Sequence, residues 1–353
     1  MHTFKKHILT LPLVLLTLFA ITSCVDEEEM ADTQSGNIEA LWKIMDEHYC
    51  FFSLKKQELG VDWDEVHQRY PKMVEGGVST TQLFEVCANM LGELKDGHVN
   101  LTSSFDYARN WSWHEDYPQN FSDSLERRYL GTDYRYTCGL KYRILDDNIG
   151  YIRCSSFENE FGEGNLDDIL YYLATCNALI IDIRNNGGGE LTMAERLAQR
   201  FTNQDILVGY MQHKTGTGHD DFSAMEEQRL SPPSRLRWQK RCAVLTNRSV
   251  FSAANEFVKY MKACGDPSAK GLAASEKSVI VVGDHTGGGA GMPFSSELPN
   301  GWAVRFSACP MFDRDRQSTE QGISPDYSVS LLDADVLRGE DTIIETARTL
   351  LSE

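Results

Sequence analysis

The sequence predicts an α/β protein with a largely parallel central sheet and a helical unit ahead of it. Three observations carry that reading. From residue 147 onward, short apolar runs alternate with segments of helical spacing, and strands alternating with helices build parallel sheets. Residues 178–183 read ALIIDI, a nearly unbroken apolar run of the kind found in strands covered on both faces. Residues 37–94 place apolar side chains three and four apart, which is the spacing of a helix face.

The whole chain sets the bounds. Its 353 residues are enough for one large core and an accessory unit. It is 41% hydrophobic and 24% charged, an ordinary globular composition. A net charge of −18 argues against a nucleic-acid partner, because neutralising phosphates takes clusters of Lys and Arg. The same acidity serves solubility.

Residues 1–23 form a leader rather than part of the fold. Lys5 and Lys6 precede an apolar run from Ile8 to Ile21. That run suits the core of a secretory signal and is short for a membrane span. It closes on Ile21-Thr22-Ser23-Cys24, which resembles a bacterial lipobox. The resemblance implies that Cys24 becomes the lipidated first residue and ties the protein to a membrane. Residues 24–36 are acidic and poor in apolar groups, so they are expected to be a flexible tether. An acidic stretch directly after the lipidated Cys resembles the export tag of some surface lipoproteins of Gram-negative cells. The expected location is therefore the cell envelope at the outer membrane, facing the surface or the periplasm.

Residues 37–101 are predicted as a helical N-terminal domain. NIEALWKIMDEHYCFF and TTQLFEVCANMLGEL both carry the helical pattern, with VDWDEVHQRY as a helix start between them. Gly97 punctuates its end, and Val99 to Leu101 can begin a strand. Residues 102–146 are aromatic and polar and receive no assignment beyond a connecting insertion. Residues 147–353 are the core. NIGYIRCSSF, ALIIDI, CAVLT and SVIVVGD read as strands. LDDILYYLATC, ELTMAERLAQRF and VFSAANEFVKYMKAC read as helices. Eight cysteines follow Cys24, widely spaced and without a C-x-x-C pair. Neither a zinc site nor a thioredoxin-like motif is indicated, and buried free thiols are the simplest reading.

Three stretches could carry chemistry. After ALIIDI the chain runs Arg184-Asn185-Asn186 into three glycines, then a helix. Glycines permit positive φ and close approach, and free N–H groups at a helix start favour negative charge. Such a turn can hold an oxyanion, or it can be only a tight turn. If it holds an oxyanion, a side chain at Gly188 should cost rate more than fold. No G-x-G-x-x-G or Walker pattern is present. In CAVLTNRSVFSAANEF, Ser252 falls at a helix start. There it suits a nucleophile in the positive end of the helix field, with the Ala253 N–H beside it. It equally suits an N-cap, as does Ser249. His98, in KDGHVNL, is of the type that a serine nucleophile needs as base.

Taken together, these motifs resemble the C-terminal processing peptidase family of serine peptidases, which includes the tricorn core. Asp96-Gly97-His98 is similar to the family's D-G-H or D-P-H turn after a helical domain. Asp182-Ile183-Arg184-Asn185-Asn186-Gly187-Gly188 resembles its D-L-R-N-N-x-G-G strand end. Ser252-Ala253-Ala254-Asn255 resembles its S-A-x-[EN] nucleophile, and Gly322-Ile323-Ser324-Pro325-Asp326 its G-I-x-P-D close. The four motifs fall in order over roughly residues 37–350. The resemblance implies a ClpP/crotonase-like β-α spiral core and a peptide or protein substrate. It implies Ser252 as nucleophile, with Gly187, Gly188 and Ala253 as the oxyanion hole. No metal or other cofactor is implied.

The chain also departs from that pattern. Gly289 stands where the Ser–Lys members carry a lysine in G-E-P-T-x-G-K. The tricorn-like branch lacks that lysine too and uses a histidine, which implies His98 as general base, with His285 as the other histidine near the motif. Lys277, Lys259 and Lys262 are not placed to substitute. Gly97 stands where tricorn has a helper serine. Glu320 is the nearest acid to the family's acidic helper, offset by one residue. Residues 102–146 are too few for the family's usual peptide-binding PDZ module. The same fold also serves as a non-catalytic carrier in retinoid-binding relatives, so a ligand- or peptide-binding surface lipoprotein is the alternative reading. Hydrolysis of a non-peptide ester is a third.

Overall fold

The computed structural model describes residues 30–109, 114–267 and 277–352. The leader, Cys24 and the first part of the acidic tether lie outside them. The N-terminal unit contains α1 (Gln34–His48), α2 (Phe52–Leu59), α3 (Trp63–Arg69) and α4 (Thr80–Gly92). The first helix starts three residues inside the expected tether, because the Thr33 side chain accepts the Gly36 N–H and caps it. NIEALWKIMDEHYCFF is not one helix. The chain leaves α1 at Tyr49, and the Cys50 N–H donates to Ser307 O at 3.0 Å. Helix α4 opens on a reciprocal cap in which Ser79 and Gln82 bond one another's backbone N–H groups.

Strands β1 (Asn100–Thr102) and β2 (Tyr107–Arg109) follow. Residues 114–146 then hold α5 (Asp123–Leu130), β3 (Arg135–Thr137) and β4 (Leu140–Ile144). The last two extend the core sheet. The core continues with β5 (Ile149–Cys154), α6 (Glu163–Tyr172), β6 (Ala178–Asp182) and α7 (Leu191–Ala198). After β7 (Ile206–Met211) and β8 (Glu226–Leu230) come β9 (Cys242–Thr246), α8 (Ala253–Cys264) and β10 (Val279–Gly283). The chain ends with β11 (Gly291–Glu297), β12 (Ala303–Phe312), β13 (Tyr327–Ser328), α9 (Asp333–Arg338) and α10 (Thr342–Ser352).

Two sheets result. The larger has the order β13-β10-β9-β6-β5-β4-β3, parallel from β13 to β5 and antiparallel beyond. The other runs β2-β1-β12-β7-β8, with β11 also paired to β12. The apolar run of β6 now has its reason. Leu179 and Ile181 pack with α6, α7 and α8 on one face, while Ala178 and Ile180 pack with α10 on the other. Both faces are covered, so no polar alternation survives. The N-terminal helices bury a separate core against β1 and β12, which includes Leu41, Phe84, Val304 and Phe306. All eight cysteines among the described residues are free, with only Cys138 exposed.

Candidate active site

Three turns meet at the carboxyl ends of the parallel strands. The first follows β6, the second joins β9 to α8, and the third follows β10. The Phe251 N–H donates to Asn186 O at 3.1 Å, and the Ser252 N–H donates to Gly288 O at 2.9 Å. These two bonds fasten the turns together directly beneath Ser252.

Ser252 has φ +56° and ψ −126°. That conformation is costly for a residue with a Cβ and persists only where the surroundings impose it. It throws the side chain out of a sharp strand–turn–helix bend, the geometry of a nucleophile elbow. Ser252 does not act as a side-chain cap of α8. Its Oγ lies 2.8 Å from His98 Nε2 instead. Ser249 lies elsewhere, with Asn185, Tyr117 and Arg248 on the wall of a cavity of about 520 Å³.

His98 is buried in the turn between α4 and β1. The Asp96 carboxylate accepts its backbone N–H at 2.7 Å, and Asn100 Nδ2 donates to its carbonyl at 2.7 Å. The ring lies against Phe251, with centroids 4.8 Å apart. Burial pushes the imidazole down to about 4; the Asp96 charge opposes this, and Arg305 and Arg109 add to it. At neutral pH the ring is therefore neutral and able to accept a proton.

The glycine turn differs in detail from the sequence expectation. The Gly188 N–H donates to Asn186 Oδ1 at 2.9 Å, so this donor is occupied. Among the described residues, the N–H groups of Gly187 and Ala253 donate to no other group. Gly188 has φ +103°, and a Cβ there would stand 2.8 Å from both Phe251 O and Ser252 Cβ. Its lack of a side chain thus lets the two turns touch, and a side chain would disturb fold and site together. Gly187 is exposed and has open space around it.

Glu320 is buried but does not reach His98 Nδ1, which is buried without a partner among the described residues. Glu320 Oε2 accepts the Ala290 N–H at 2.8 Å, and Oε1 lies 3.8 Å from Lys55 Nζ. Burial, then the Asp96 charge, raises its carboxyl to about 8, against the pull of Lys55. The lysines are engaged elsewhere. Lys277 and Lys262 pair with Asp326 at 2.9 and 3.2 Å, and Lys259 pairs with Glu256. A Cβ on Gly289 would lie 2.5 Å from the Phe251 ring, so the ring fills the space a lysine would need. His285 is held by Ser324 Oγ at 3.1 Å and Gln321 O at 2.9 Å.

Several contributors were not singled out from sequence. Asn186 ties the glycine turn to Cys154 O through its Nδ2 at 3.1 Å. Arg184, fully buried, bonds Asp182 at 2.6 Å and Asp341 at 2.9 Å and so pins the turn to the start of α10. The charged D-I-R at the end of an apolar run, and the motif that Asp182 to Gly188 resembles, are the sequence signals for this network.

The chain is similar to known proteins. Residues 148–329 match peptidase family S41, and residues 33–92 match the tricorn protease C1 domain. A crystal structure of a protein from Parabacteroides merdae is 48% identical over 91% of this chain and 97% of its own, with a TM-score of 0.82. Mature CPAF complexed with lactacystin superposes with a TM-score of 0.66 at 12% identity, over 90% of this chain and 98% of its own. The photosystem II D1 C-terminal processing protease does so with 0.53 at 14% identity, over 88% and 97%. The last two likenesses are of fold. No curated protein sequence matches the chain.

Proposed function

The chain belongs to peptidase family S41, and from that premise we propose that it cleaves peptide bonds through an acyl-enzyme on Ser252. His98 Nε2 takes the hydroxyl proton as Oγ attacks the scissile carbonyl. The N–H groups of Gly187, in the turn after β6, and of Ala253, at the positive end of α8, receive the oxyanion. His98 then returns the proton to the leaving amine, and a water repeats the sequence to free the acid. The substrate is a peptide or protein. Lipidation of Cys24 holds the enzyme at the envelope membrane.

One observation carries this reading: the 2.8 Å approach of a neutral buried histidine to a serine held at positive φ. An unactivated serine hydroxyl is a poor nucleophile, and a base within hydrogen-bond reach is what activates it. The test is a fluorophosphonate probe, which reacts only with an activated serine. Labelling of the wild type and not of Ser252→Ala is the expected result. An unlabelled wild type would leave a ligand carrier on a peptidase fold.

A further inference from the structure

We propose that Asp96, rather than Glu320, is the carboxylate that positions His98 and offsets the positive charge His98 takes up when Ser252 loses its proton. The proposal rests on the acyl-enzyme reading above. It starts from an asymmetry between two buried acids.

Asp96 is tied to His98 directly. Its Oδ1 accepts the His98 backbone N–H at 2.7 Å. Its Oδ2 accepts the Ser307 hydroxyl at 2.8 Å and the Tyr49 hydroxyl at 3.0 Å. Three donors from three parts of the chain thus fix this carboxylate: the His98 turn, the end of α1, and β12. Glu320 is turned elsewhere. One oxygen takes the Ala290 N–H and the other faces Lys55. No side chain among the described residues bonds His98 Nδ1, so the ring receives no carboxylate hydrogen bond of the triad kind. Support for the imidazolium must come through the backbone grip and through charge.

The charges around His98 decide which acid can supply it. Arg109 on β2 and Arg305 on β12 both oppose its protonation, and Asp96 favours it. Burial, and next the Asp96 charge, hold the Glu320 carboxyl above the usual carboxylate range and so favour its neutral form. A neutral acid offers little to a developing cation. Lys55 Nζ faces Glu320 Oε1 at 3.8 Å, and the Tyr49 hydroxyl bonds Asp96 Oδ2. When His98 gains its proton, Asp96 is the negative group bonded to its own peptide.

The experiment compares Asp96→Asn with Glu320→Gln in the full chain. It uses two readouts: steady-state hydrolysis of a peptide substrate, and the NMR titration of the His98 ring. Asp96→Asn is expected to lower kcat by roughly 10²-fold with KM within about twofold, since the loss falls on the transition state. It should also move the His98 midpoint to lower pH, because a lost negative charge disfavours the protonated ring. Glu320→Gln should cost kcat at least about tenfold less, since glutamine mimics the neutral acid. A larger loss in Glu320→Gln than in Asp96→Asn overturns the proposal.

The titration separates this proposal from the reading beneath it. A His98 midpoint unmoved in Asp96→Asn overturns the role of Asp96, whether or not Ser252 reacts with the fluorophosphonate. A moved midpoint in a chain whose Ser252 never labels upholds the coupling and overturns the peptidase reading. If Asp96→Asn does not fold, Tyr49→Phe combined with Ser307→Ala releases Oδ2 alone. That pair should lose kcat by roughly tenfold at unchanged KM, and wild-type kcat in it overturns the proposal.

Discussion

His98 Nε2 and Ser252 Oγ stand 2.8 Å apart across 154 residues of chain. The two lie on different units, one in the turn that closes the helical domain and one at the head of α8. Packing of the helical unit against β12 therefore brings the pair together.

The first prediction concerns the identity of the base. Lys277 and Lys262 are paired to Asp326, and Lys259 to Glu256, so none of these three lysines is placed to accept the Ser252 proton. His98→Ala is expected to lower kcat by roughly 10³–10⁴-fold. Lys277→Ala and His285→Ala should stay within about threefold of wild type in the same peptide assay. An active His98→Ala with a dead Lys277→Ala would return the enzyme to the Ser–Lys class.

The second prediction is the pH profile. A general base works only when unprotonated, so the rate falls as pH drops through its pKa. Residue type alone puts that fall near ~6.5. Burial moves His98 down to about 4, so kcat/KM should hold through pH 5 and fall only near pH 4. A half-point at 6.5 in the free enzyme would mean that His98 is solvated, or that another group is the base.

Much of the fold was legible in the sequence, and the reasons are particular. ALIIDI, CAVLT and SVIVVGD are apolar on both faces because helices cover both, and that leaves an unbroken run to read. Strands β11 and β12 carry Pro293, Pro310 and several serines, and their pairing partners lie far along the chain. Their assignment depends on contacts that periodicity does not report. The site was legible only in part. Ser252 and His98 follow from motif resemblance, while composition alone leaves Ser252 as a cap. The hold of Asn186 on the Gly188 N–H depends on one side-chain rotamer. Neither motif nor spacing encodes it, which is why Gly188 was expected to donate to the oxyanion.

The third prediction follows from Gly188. A Cβ there would meet Phe251 O, Ser252 Cβ and the Ala253 nitrogen at 2.8–3.0 Å, on a residue with φ +103°. Backbone cannot yield cheaply to such contacts, and positive φ adds strain. Gly188→Ala should therefore lower both Tm and kcat. Gly187→Ala should keep Tm within about 2 °C, because a side chain there meets open space. Thermal melts of the two variants check this. Equal melting temperatures would show that the close approach at Gly188 is not a constraint.

The fourth prediction concerns Arg184. It is fully buried between Asp182 and Asp341, and Tyr151 OH donates to Asp182 at 2.8 Å. Arg184→Ala strands two carboxylates in the interior. Removing one member of a buried ion pair typically costs about 3–5 kcal/mol. Arg184→Lys should also destabilise, since an ammonium cannot form the planar fork that reaches both acids. Urea denaturation is the measurement, and an unshifted midpoint in Arg184→Ala would refute the role given to this network.

The fifth prediction joins the leader to the folded chain. Met30 already packs against the N-terminal core, and α1 begins at Gln34. Five residues therefore separate Cys24 from Met30, and the six steps between them, at roughly 3.5 Å each, reach no more than about 20 Å. A lipid on Cys24 would thus hold the core close to the membrane surface rather than on a long leash. Cys24→Ser is expected to move the protein from the membrane fraction to the soluble fraction. With a short peptide substrate its kcat should match wild type, because Cys24 has no part in the proposed reaction. With a membrane-embedded protein substrate its rate should fall, since local concentration is lost with the anchor. Membrane retention of Cys24→Ser would show that Cys24 is not the anchor.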